Sequence, residues 1–152
     1  MGAAGTQALA AAGIMGKDCK TTMPLHWDIR HDQQLVVLRT EGALCFGDVA
    51  AYLEAVSAAG AIGYRKLCDA RDGYSDLTER ELTSYLGAVA GYSTVTPLGP
   101  QALVLTEASA RAHEPMLRML FLNRDRELRM FTDLDTAREW LCSQPIGEAA
   151  RP

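Results

Sequence analysis

Eighteen residues, RKLCDARDGYSDLTEREL at positions 65–82, constrain the fold of this chain more than any others. An apolar run through Leu67 and Cys68 ends in an acid, Asp69, crosses a polar segment and enters a helix whose start is doubly specified. Thr78 and Glu81 have the spacing of a capping box, while Leu77 and Leu82 occupy the two positions of a hydrophobic staple. Strand, connection and helix in that order form half of a β-α-β unit, so the stretch predicts an α/β sheet rather than a bundle or a sandwich.

The flanking sequence supplies the remaining units. Leu25, Trp27 and Ile29 alternate with His26, Asp28 and Arg30, the period-two signature of a first strand with one wet face. After a polar connection at 31–34, the continuous run Leu35, Val36, Val37, Leu38 predicts a strand covered on both faces, paired with the first as an antiparallel hairpin. Asp48 is expected to open a helix with Val49, Leu53 and Val56 on one face, stopped by Gly60 and Gly63. Residues 66–70 form the third strand. The helix after Thr78 presents Leu82, Tyr85, Leu86 and Val89, and Gly91 with the segment 94–100 breaks it. Residues 102–105 read as a fourth strand. Pro115 suits an early position in a helix over 116–122, with room for a turn or short helix before it. Leu128, Met130 and Phe131 mark a fifth strand. Asp133 caps a last helix that buries Leu134, Ala137 and Leu141, with Trp140 over the edge. The expected architecture is a single α/β domain over residues 24–144, ββαβαβαβα, with a mixed, mostly parallel five-stranded sheet and about four helices. Residues 1–23, rich in Ala and Gly, and residues 145–152 are read as mobile tails.

Composition removes several function classes. A chain of 152 residues is long enough to bury a core without disulfides or a structural metal. Its net charge of −4 argues against a nucleic-acid partner, which needs a cationic face to release counterions. Arg124, Arg126 and Arg129 are interleaved with Asp125 and Glu127 and read as a solvated turn and strand edge. Cys19, Cys45, Cys68 and Cys142 make no C-x-x-C pair, and His26, His31 and His113 lack ligand spacing, so neither metal nor cofactor is expected. Cys68 reads as a small core residue. The setting expected is cytoplasmic and reducing, with no stable membrane insertion. Lys17 follows the small-residue run instead of preceding it, unlike a signal peptide. MGAAGT fits the N-myristoylation pattern, a short pattern that Gly/Ala-rich termini meet by chance.

The element order, the acid-ended third strand and the closing pattern RMFTDLDTAREWL resemble the SpoIIAA-like branch of the STAS superfamily over about residues 25–141. The resemblance implies regulation by binding rather than catalysis. The superfamily includes anti-sigma-factor antagonists, cytoplasmic appendages of anion transporters and stressosome subunits, and this branch is also likened to lipid-binding SEC14 domains. In the antagonists the loop after the third strand carries an acid, then hydroxyl residues and a glycine, and one hydroxyl is phosphorylated. Here the loop reads DARDGYSDLTE: Asp69 matches the acid, but the acid-Ser-Ser-Gly run is missing and the nearest hydroxyls are Ser75 and Thr78. The positive end of a helix dipole attracts phosphate, yet Asp72, Asp76, Glu79 and Glu81 would repel it. Thr78 is therefore read as a cap and Ser75 as a turn residue.

Three functional readings follow. The first is a non-enzymatic, STAS-like regulatory or protein-interaction module whose loop, Asp69, Asp72, Tyr74, Ser75, Asp76 and Thr78, meets an unidentified protein partner. The second is a SEC14-like carrier of a small molecule or lipid. Its motive is the run holding Met116, Met119 and Leu120, adaptable side chains suited to an apolar pocket or a dimer surface, with plain core packing as the alternative. Only Arg118 interrupts the apolar run 116–122, so a homodimer is expected. The third is an enzyme using Asp69, Arg71, Asp72 and Asp76 at strand ends. No histidine, nucleophile elbow or phosphate-cradling loop accompanies these carboxylates, so no catalytic residue is assigned.

Overall fold

Each strand pairs with the one that precedes it in the chain. Strands β1 (Leu25–Arg30), β2 (Leu35–Leu44), β3 (Arg65–Ser75), β4 (Gln101–Val104) and β5 (Leu128–Phe131) lie side by side in that order. The first pair is antiparallel and the rest are parallel. The computed structural model describes residues 24–75, 77–94, 96–122 and 127–146, the side chains of 93 and 120–122 excepted. The N-terminal tail with its acylation pattern, Asp76, Arg124, Arg126 and residues 147–152 lie outside the described residues.

Three parallel crossovers step the same way across the sheet, and the right-handed rule for such connections puts their helices on one face. Helices α1 (Phe46–Ala58), α2 (Glu79–Ser93), α3 (Glu107–Ala112) and α4 (Glu114–Leu122) belong to these crossovers, while α5 (Leu134–Ser143) follows the last strand. The core divides accordingly. On the crossover side Val36, Leu38, Cys68 and Leu103 pack with Tyr52 and Val56 of α1, Val89 of α2 and Leu117 of α4. On the other side Leu67, Ala102 and Val104 pack with Ala137 and Leu141 of α5. The expected α/β domain with a mixed five-stranded sheet is therefore present, with five helices among the described residues because the short α3 precedes α4.

Local signals set most boundaries. Thr78 caps α2, its hydroxyl accepting from Glu81 N–H at 3.1 Å. Asp133 caps α5, accepting from Thr136 N–H at 2.9 Å and from the Thr136 hydroxyl at 2.7 Å. The α1 terminus is a Schellman motif: Gly60 has φ +69°, Ala61 N–H donates to Val56 O and Gly60 N–H to Ser57 O.

Five boundaries differ from expectation. Helix α1 begins at Phe46, and Asp48 sits inside its first turn, accepting from Cys45 N–H at 3.0 Å; the acid satisfies an end donor from within instead of preceding the helix. Gly60 alone makes that helix's left-handed turn, and Gly63 is not part of the stop. Helix α2 runs through Gly91 to Ser93, because one glycine costs a helix only about 1 kcal/mol. Most importantly, β2 continues to Leu44 and β3 to Ser75, so the supposed loop after Asp69 is largely strand.

Candidate functional site

The extra length of β3 contains a bulge. Arg39 faces Asp69 and Glu41 faces Asp72, so one residue of β2, Thr40, stands opposite two of β3, Ala70 and Arg71. An uninterrupted strand would carry the inward set Cys68, Ala70 on to Asp72 and Tyr74. The extra residue reverses that phase: Gly73 pairs with Gly42 and Ser75 with Leu44 on the crossover side, and Asp72 and Tyr74 face away. Gly73 is required here, since a Cβ built on it would overlap the Thr40 hydroxyl.

On the inward side lies a cavity of about 140 Å³ between the sheet, α1 and α2, its apolar wall formed by Leu38, Leu44, Tyr52, Leu82 and Val89 among others. A second cavity of about 110 Å³ lies toward α3 and α4. Thr40, Leu44, Cys68, Ser75 and Met116 border both. Two polar groups in this region are well satisfied. Lys66 is 4% exposed, and its ammonium donates to Ile62 O at 2.6 Å and Tyr64 O at 2.9 Å, clasping the turn after α1. His113 bridges Ser109 O, 2.9 Å from Nδ1, and Ser75 N–H, 3.3 Å from Nε2. A carbonyl only accepts and a backbone N–H only donates, so this geometry fits the neutral ring with its proton on Nδ1. Thr40 is the exception: it is 5% exposed, and its Oγ1 has no hydrogen-bond partner.

On the outward side the carboxylates are paired. Arg71 grips Asp69 through two parallel bonds of 2.9 Å, and Arg39 reaches Glu41 at 3.1 Å and Asp72 at 3.4 Å. The hydrogen-bonded Arg71 guanidinium holds the Asp69 carboxyl below its ordinary value of 3.8, outweighing partial burial. Asp133 is lowered as well, first by the N–H and hydroxyl of Thr136 and additionally by the charge of Arg71. A carboxylate held ionised in this way is poorly matched to proton transfer near neutral pH. Among the described residues no three His, Cys, Asp or Glu side chains cluster as metal ligands, and no helix is long and apolar enough to cross a membrane.

The residues singled out from sequence thus separate. Asp69, Asp72 and Tyr74 share the outward side of β3, where Tyr74 is 55% exposed. Ser75 borders the cavities, with its hydroxyl accepting from Leu77 N–H at 3.3 Å, and Thr78 serves as the helix cap. Met116 is part of both cavity walls, Met119 is half-buried, and the side chain of Leu120 lies outside the described set. Sequence reading missed Thr40, Lys66 and His113. Gly73 within a strand was the available sign of the bulge, but Asp72-Gly73 also reads as a turn.

This architecture is a SpoIIAA-like fold. A protein of the DUF3478 family with a SpoIIAA-like fold from Shewanella loihica superposes with a TM-score of 0.59 at 17% identity, covering 83% of this chain and 100% of the other. An anti-sigma factor antagonist from Mycobacterium paratuberculosis superposes with a TM-score of 0.50 at 15% identity, covering 81% of this chain and 98% of the other. No family model matches the sequence, and no curated protein matches it either. At these identities the likeness shows the fold alone.

Proposed function

We propose that the protein is a non-enzymatic regulatory module that binds a protein partner through the outward end of β3 and the adjoining start of α2. The observation that carries this reading is Tyr74, more than half exposed beside the paired charges of Arg39, Asp72 and Glu41. A large aromatic left in water among arginines has the composition of an interface centre, where Tyr and Arg contribute disproportionately. The fold shared with an anti-sigma factor antagonist supports regulation by association as the mode of action. The bulge supports it too, since it turns Tyr74 and Asp72 outward together.

A phosphate switch at Ser75 fits this site poorly. Its hydroxyl is held at the cavity border by Leu77 N–H, so a phosphate there would first have to be expelled from an apolar surrounding. The second-copy proposal is narrowed as well: Met116 and Leu117 face the core, leaving the Met119 side of α4 for a homodimer. Sedimentation at a mass of 16.5 kDa alone would reject that dimer.

The test of the partner surface is comparative capture from lysate with the full chain, Tyr74→Ala and Asp72→Arg, each bound protein being quantified. A specific partner held by the parent chain and lost from both variants is expected. A partner held equally by all three would remove this surface from the proposal.

A further inference from the structure

We propose that the inner cavity is a binding site for a small neutral molecule, about the size of one aromatic ring, whose single hydroxyl or carbonyl group hydrogen-bonds Thr40. Protein interiors are close-packed, with few voids larger than a water molecule, so two adjoining cavities of about 140 and 110 Å³ on one face of a small sheet require a reason. Their walls are mainly apolar, and an apolar cavity of about 150 Å³ holds a benzene ring.

Thr40 supplies the second, independent observation. A buried hydroxyl without a partner is unfavourable, and valine would fill the same volume without that cost. Thr40 lines both cavities, and its Oγ1 is without a partner. The bulge opposite Thr40 brings Gly73 against the hydroxyl, and a glycine has no side chain with which to partner it. A polar group is thereby held in an apolar chamber, the arrangement by which pockets orient a ligand with one polar end.

Size and charge narrow the ligand. A chamber matched to one ring does not enclose a long acyl chain. The ammonium of Lys66 is already engaged by Ile62 O and Tyr64 O, so the unpartnered group left to meet a ligand's head is the neutral hydroxyl of Thr40. The assignment does not depend on the partner surface around Tyr74.

The test is titration of the full chain with toluene, benzyl alcohol and benzoate, followed by calorimetry and by chemical-shift changes at the lining residues. Benzyl alcohol should bind about fivefold more tightly than toluene, the factor expected of one net hydrogen bond. In Thr40→Val the two should bind equally while toluene binding persists, which also shows that the variant is folded. Benzoate should bind least well. Absence of binding by all three at millimolar concentration would overturn the site, equal binding of toluene and benzyl alcohol to the parent chain would overturn the role of Thr40, and tightest binding by benzoate would overturn the neutral assignment.

Discussion

The two faces of the sheet are built from the same strands and finished differently. Under α5, Leu67, Ala102, Val104, Ala137 and Leu141 are all within 1% of complete burial, and alanines at both levels let one helix lie close on the strands. Under α1, α2 and α4 the side chains are larger, the covering is shared among several helices, and the two cavities remain. One helix with small contact residues seats closely on this sheet, while the several helices meeting over the other face leave space at their junction. In this chain that junction also holds a bulge and an orphaned hydroxyl.

The comparison can be broken by truncation on each face. Leu67→Ala should lower unfolding stability in urea by about 2–5 kcal/mol, because the closely packed face cannot collapse around the gap. Leu44→Ala, at the wall of existing space, should cost less than half as much; equal losses would mean that the faces do not differ in packing. Thr78→Ala, which removes the α2 cap beside the cavity, should cost about 1 kcal/mol by the same measurement. Thr40→Val should act in the opposite direction and stabilise the unliganded protein by about 1 kcal/mol, since it deletes an unsatisfied polar group without changing volume. A loss of stability there would show that the hydroxyl has a partner in solution.

The smallest effect concerns the outward charges. Asp69 has a folded pKa below its ordinary value, so its contribution is present above about 3.8 and disappears as pH falls through the lower folded value. Asp69→Asn should flatten the stability profile in that acid range, and an unchanged slope would show that the Arg71 pair contributes no linkage. The pair is partly exposed, and solvent screening keeps its contribution small.

What could be read from sequence was local. Thr78, Asp133 and Pro115 act on helix starts within a few residues, Gly60 acts on a stop, and the apolar runs needed only period two to be placed on strands. These signals yielded the order of elements and the mixed sheet. The site depended on pairing. Asp72-Gly73 looks like a turn until the extension of β2 to Leu44 supplies a parallel partner that holds it as strand. Thr40 looks like an ordinary strand residue until the bulge thirty residues away fixes what lies opposite it. The roles of His113 and Lys66 likewise rest on contacts with carbonyl and N–H groups that carry no side-chain signature.

The sequential strand order has a kinetic meaning. Every new strand joins the margin formed by its predecessor, so the sheet can assemble in the direction of synthesis without waiting for a distant segment to insert between strands already joined. Such a path keeps loop closures short and favours rapid folding for a largely parallel sheet. It also leaves the outer side of β3 and β4 bare until the last helix arrives, making α5 the element whose delay would most expose nascent chains to aggregation.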